Sequence, residues 1–197
     1  ETGVVNISDE TVVTGKVLNY IANIGGAYFG SLQAAVNAIE KHGYNSPIVI
    51  MKNFATSEAT TIKSGLKVTI NLNGKTITGT DNETKSQGLI NINPRAELTI
   101  NDATGNGAIK LTATNNREWN AYSSVISNQR GKLTVNGGTI EHLGGTDMAY
   151  AIDNLTNGKG TKAETIINGG TIKSTYRAVR QFLNGTEAQN ILTVNGG

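Results

Sequence analysis

The sequence predicts an all-β solenoid, a stack of short strands sharing one apolar core. Three observations point to it. First, a phrase recurs: Leu133-Thr134-Val135-Asn136-Gly137-Gly138-Thr139-Ile140 returns as Thr165-Ile166-Ile167-Asn168-Gly169-Gly170-Thr171-Ile172, and then as Leu192-Thr193-Val194-Asn195-Gly196-Gly197. Weaker copies stand at Leu98–Asp102 and Val68–Ile77, so the matching asparagines 71, 101, 136, 168 and 195 are 30, 35, 32 and 27 residues apart. Second, each unit holds apolar runs of 3–5 residues that alternate in polarity, a strand period too short for a helix. Third, the 197 residues include 25 Thr, 24 Gly and 24 Asn but only 2 Pro and no Cys. Thr favours strands, and the clustered Ile and Val exceed what a disordered polar chain carries. One unit of short strands cannot bury its own side chains, but stacked units share a continuous core.

The same arithmetic removes several function classes. No stretch reaches the roughly 20 apolar residues of a transmembrane helix, so no membrane insertion is expected. A net charge of +2 from 17 basic and 15 acidic residues leaves no electrostatic footprint for nucleic acid. The absence of Cys rules out disulfide scaffolds, thiol nucleophiles and Cys-zinc sites together.

Residues 1–18 are polar and weakly patterned and read as a connector, with Glu1-Thr2-Gly3 resembling an artificial leader. Residues 19–197 form the solenoid. Tyr20 to Ile24 and Ala27 to Phe29 flank Gly25-Gly26, a hairpin signal. Leu32, Ala35, Val36 and Ile39 have helical spacing, with Ser31 as N-cap and Gly43 as the stop. Hairpin and helix, residues 19–43, suit the capping of an open solenoid end. The coils follow over 46–197. In each, one strand carries Leu133, Val135 and their counterparts inward, which turns Thr69, Thr99, Thr134, Ile166 and Thr193 outward. The asparagines then stack at one turn, where amide side chains can bond up and down the stack. A second phrase precedes each copy: Leu89–Ile92, Ser124–Ser127, Tyr150–Asp153 and Arg177–Arg180, with Ile48–Met51 as its earliest version. The chain ends in mid-repeat at Gly197, which suggests a module within a longer protein.

Two segments carry a resemblance to a known group. Ile24-Gly25-Gly26 followed by Ser31-Leu32-Gln33-Ala34-Ala35-Val36 resembles the opening hairpin and cap helix of pectin-lyase-like domains in large surface proteins of Gram-positive bacteria. The run from Gly65 to Gly79 resembles the first full coil of that group. The resemblance covers about residues 19 to 197 and implies a right-handed parallel β-helix. It leaves function open, since this architecture hosts lyases, hydrolases, adhesins and stalks.

Polysaccharide hydrolases of this fold use two or three neighbouring Asp, and related lyases use an Asp cluster for calcium plus an Arg base. Here the Asp residues lie at 9, 81, 102, 147 and 153, and no motif pairs them. Asp153 has Ser127 or Asn128 and Arg180 or Gln181 as stack neighbours, which reads as a surface ion pair rather than a calcium site. His42 belongs to the last helical turn and His142 follows a repeat strand; both read as surface residues, and no metal or cofactor is expected.

The candidate binding residues are those that break the repeat. Trp119 lies in the longest irregular stretch with Arg117, Glu118 and Tyr122, where it either stacks on a ligand or folds back over the flank. Tyr122, Tyr150 and Tyr176 precede the same strand in three successive coils, beside Arg177 and Arg180, as an aromatic strip or a packed corner ladder. The expected function is a non-catalytic, adhesin-like binding module, monomeric and extracellular, secreted or attached to a bacterial cell wall. Its expected partner is a host cell-surface protein or glycan. The alternatives are a polysaccharide lyase or glycoside hydrolase domain, and a spacer.

Overall fold

A computed structural model describes residues 19–81, 87–113, 122–144 and 148–197. The hairpin of β1 (Ala22–Ile24) and β2 (Ala27–Phe29) is followed by α1 (Leu32–His42). The Ser31 hydroxyl accepts from the Ala34 amide at the helix start, and Gly43, at φ 67°, donates its amide to the Ile39 carbonyl at the end. Leu32, Ala35, Val36 and Ile39 point into the protein, as their spacing requires.

Successive coils then supply β3 (Ile48–Ile50), β4 (Phe54–Thr56) and β5 (Thr60–Ile62); β6 (Lys67–Asn71), β7 (Thr76–Asp81) and β8 (Gln87–Ile92); β9 (Glu97–Asn101), β10 (Ala108–Ala113) and β11 (Ser123–Gln129). The next are β12 (Lys132–Val135), β13 (Thr139–Leu143) and β14 (Ala149–Asn157), then β15 (Lys162–Ile167), β16 (Thr171–Ser174) and β17 (Arg177–Asn184), with β18 (Gln189–Val194) last. They stack into three sheets. The first runs β18-β15-β12-β9-β6-β3-β1-β2, the second β16-β13-β10-β7-β4, and the third β17-β14-β11-β8-β5. Every pairing between coils is parallel, while β1 pairs antiparallel with both β2 and β3 and closes the N-terminal edge. The chain is a β-solenoid with the parallel β-helix arrangement.

Registration follows the sequence phrases. Thr69, Thr99, Thr134, Ile166 and Thr193 are successive partners. Inward columns such as Ile77, Ile109, Ile140 and Ile172, or Ile90, Ile126, Ile152 and Val179, fill the core. Each fully buried isoleucine is worth about 1.5–3 kcal/mol over an exposed one. The repeated Gly-Gly has a steric cause. Gly138 and Gly170 take φ of 85° and 94°, and a Cβ on Gly170 would strike the Gly138 carbonyl oxygen one rung away.

Two assignments change. Ile48–Ile50 stacks on β6 in the first sheet rather than opening the third, whose first strand is Thr60–Ile62. The two runs look alike in sequence because any inward strand position favours isoleucine. The asparagine ladder runs through Asn101, Asn136, Asn168 and Asn195, each Nδ2 donating to the previous Oδ1 at 2.7–2.8 Å. Asn71 stands in register but turns its Oδ1 to the Asn73 amide instead. The connector at residues 1–18 lies outside the described residues.

Candidate functional site

The third sheet carries the residues that break the repeat. In β14 and β17, Asp153 is the register partner of Arg180, and Ser127 precedes it on β11. Ile126, Ile152 and Val179 occupy the neighbouring inward positions, so Asp153 and Arg180 belong to the opposite face. Arg180 grips Asp153 in a fork: Nε to Oδ1 at 2.7 Å and Nη2 to Oδ2 at 2.6 Å. This is not a surface pair. The Asp153 side chain is 0% exposed and that of Arg180 13%. The aromatic residues around Arg180 take both groups out of water, which the sequence spacing could not show.

Tyr122 and Tyr150 place their ring centres 4.5 and 4.4 Å from the Arg180 guanidinium carbon, and Phe182 lies at 5.2 Å. Tyr150, only 2% exposed, meets Tyr176 edge to face at 5.9 Å and donates its hydroxyl to Met148 Sδ at 3.1 Å. Arg177 stands 4.7 Å from the Tyr176 ring centre. The predicted tyrosines and arginines thus form one knot. Tyr150 is its packed interior, while Tyr176 is half-buried and Arg177 exposed. Phe182, 41% exposed, joins them without having been singled out. Its Leu155 register neighbour signals only a strand, so no sequence feature marked it. Trp119, Arg117 and Glu118 lie outside the described residues.

Burial pushes the Asp153 carboxyl above its ordinary value, and the Arg180 bonds offset only part of that. Burial also pulls on Arg180, but Asp153 outweighs it and holds the guanidinium charged. Burial raises the Tyr122 and Tyr150 hydroxyls as well. The Asp153–Arg180 fork is thus closed on itself, and the surface that the knot leaves accessible lies at its rim, on exposed Arg177 and Phe182 and half-buried Tyr176.

His142 is fully buried rather than on the surface, with Nε2 2.8 Å from the Ser123 hydroxyl. It occupies the inward position held by Leu111 in the coil before, so an inward strand position placed it in the core. A second buried polar group replaces apolar columns. Ile62 and Ile92 are followed in register by Asn128 and Asn154, and Leu98 and Leu133 by Thr165. The Thr165 hydroxyl and Asn128 Nδ2 both donate to Asn154 Oδ1, at 2.6 and 3.1 Å. His42 does sit in the last turn of α1 as expected.

Among the described residues, no group of three or more His, Cys, Asp or Glu could hold a metal ion, and no helix is long and apolar enough to cross a membrane. A cleft of about 700 Å³ opens beside α1, lined by Ser31, Gln33, Lys52, Asn53 and Phe54. Three of its polar side chains are committed locally: Ser31 caps the helix, Gln33 bonds Thr61, and Asn53 accepts from the Thr76 amide. No family model matches the chain, and no curated protein or solved structure matches it.

Proposed function

We propose that this chain is a non-catalytic binding module of a secreted or cell-wall-attached bacterial surface protein, adhesin-like and of the pectin-lyase-like type. It engages a host cell-surface protein or glycan through the outer flank of the third sheet. The observation that supports this reading is the Tyr–Arg knot on successive rungs of a rigid stack. Asp153, Arg180 and Tyr150 fix the base, and Tyr176, Arg177 and Phe182 form a partly exposed rim. Aromatic residues and arginine held on fixed backbone supply contact area at low entropic cost, the pattern of interface hot spots.

The alternative, a polysaccharide lyase or hydrolase domain, needs a carboxylate free to act on substrate. Among the described residues, both Asp153 oxygens are taken by Arg180. That commitment favours the binding reading. The test is a screen of the chain against cell-surface proteins and glycans, repeated with Tyr176→Ala, Arg177→Ala and Trp119→Ala. Loss of roughly fivefold or more in affinity for the first two is expected, since hot-spot truncations exceed about 1 kcal/mol. Unchanged binding in all three variants sinks the placement on this flank. A chain that binds nothing in the screen is a spacer.

A further inference from the structure

The corner that joins the third sheet to the first contains an anomaly. Turns with positive φ favour glycine, and the first such corner uses Gly65 at φ 79° with open space around its Cα. The next two coils place Arg95 and Arg130 there, each at φ 66°. The three positions correspond because Lys67, Glu97 and Lys132, each two residues on, are register partners. Arginine gains nothing from the left-handed region, and an L side chain is strained in it. Moreover, the two arginines are rooted on adjacent rungs, whose backbones lie roughly 4.8 Å apart, with the Arg95 amide donating to the Arg130 carbonyl at 3.1 Å. Strain and like-charge repulsion both oppose this choice.

Among the described residues, neither guanidinium pairs with a carboxylate. Both side chains are exposed, and Arg130 Nη1 donates to the Asn157 carbonyl, at 3.3 Å. Among the described residues, the carboxylates that follow this corner on the first sheet are held by lysines: Glu97 by Lys67, and Glu164 by Lys162 and Lys132. Lys159, exposed in the turn after Asn157, extends the stripe, and Glu187 on the last coil is the carboxylate that ends it.

We propose that the Arg95–Arg130 corner is a binding site for the sulfate or carboxylate groups of an acidic polysaccharide. A guanidinium presents two parallel donors to an oxyanion. Two such side chains rooted on adjacent rungs, with Lys159 in the turn beyond, suit anionic groups spaced along a linear polymer. The chain's net charge of +2 gives no broad basic face for a nucleic acid. The site follows the C-terminal ends of β8 and β11, on earlier rungs than β17, whose start carries Arg177, and it does not rest on the function proposed for the knot.

The experiment measures binding of the full chain to immobilised heparin, which carries sulfates and carboxylates, and to hyaluronan, which carries carboxylates alone. Binding to both assigns carboxylate recognition; binding to heparin alone assigns sulfate. The double substitution Arg95→Gly/Arg130→Gly is expected to weaken binding at least about tenfold. Its melting temperature should not fall, because glycine accepts the left-handed conformation. Arg95→Asn/Arg130→Asn serves as a second variant that tolerates the same backbone. Lys41→Ala/Lys52→Ala removes as much charge elsewhere and should bind like the parent, as should Tyr176→Ala. The proposal is overturned if neither probe binds, if the lysine variant weakens binding as much, or if a single-stranded oligonucleotide binds as tightly as heparin.

Discussion

Arg180→Ala isolates what a single residue contributes. It leaves the Asp153 carboxylate fully buried with its fork partner gone, and breaking a buried pair from one side costs about 3–5 kcal/mol. Asp153→Ala/Arg180→Ala removes both charges and should recover a large part of that loss; urea unfolding of the four proteins measures the coupling. An additive cycle would falsify the view of the pair as one unit. Acid response at single residues has a defined sign. The Lys173 bond, aided by Lys110, holds Glu141 below its ordinary value despite burial. Burial pushes Asp102 up, but the Gly74 and Gly107 amides and the Thr104 hydroxyl together outweigh it and hold that carboxyl low. Depressed carboxylates stabilise the fold above their unfolded pKa, and that stability disappears as pH falls through the folded value. Asp153, raised, works in the opposite direction and gains from protonation first. Stability should therefore fall below the ordinary carboxylate range. Glu141→Gln should flatten the fall in a pH series of melting temperatures; an unchanged slope counts against the Lys110–Glu141–Lys173 assignment.

Within the elements, neighbouring strands are tied by side chains that repeat once per rung. The asparagine ladder is one such tie, and alternating charge is another. Lys67, Glu97, Lys132 and Glu164 are successive partners on the first sheet, and Lys110, Glu141 and Lys173 on the second. A slip by one coil sets like charges face to face, so these ladders favour the native register. Asn168 both donates to Asn136 and accepts from Asn195, whereas Asn71 turns its Oδ1 to the Asn73 amide. Asn168→Ala is expected to cost about 0.5–1.5 kcal/mol per broken bond, and Asn71→Ala less, by denaturant titration. Equal losses argue against the ladder as a source of stability. The asparagine ladder was legible because its phrase repeats almost letter for letter. The charge ladders were not, because the partners are about thirty residues apart and only the register aligns them.

At the level of the whole molecule, stability is a sum of coil interiors and the interfaces between them. Leu133 is fully enclosed between neighbouring coils, while Val194, in an inward column of the same sheet, is 63% exposed at the last strand. Leu133→Ala should cost about 2–5 kcal/mol, and Val194→Ala within about 0.5 kcal/mol of nothing. A comparable loss at both sites in thermal unfolding contradicts a core that is built coil by coil. The solenoid also changes character along its length. Its early coils have isoleucine and leucine where later ones place Asn128, Asn154, Thr165 and His142. Polar residues so placed are fixed by hydrogen bonds rather than by volume, which leaves Asn154, formally a glycosylation sequon, inside the protein.

The sequence by itself determined the strand period, the hairpin and capped helix, the outward threonine column and the stacked asparagines. All of these depend on local spacing repeated along the chain, which is visible without any contact. It also picked out the tyrosines and arginines of the third sheet as departures from the pattern. Only the tertiary structure decided what became of them. Stacking brought Asp153 onto Arg180 and closed aromatic rings over both, turning an expected surface pair into a buried one. It drew His142 and Thr165 into inward columns that hold leucine one coil earlier, and set Arg95 on Arg130. The physical reason is the same in each case. Burial and charge pairing depend on which residues share a rung or a column, and coils of unequal length put that pairing beyond the reach of spacing alone.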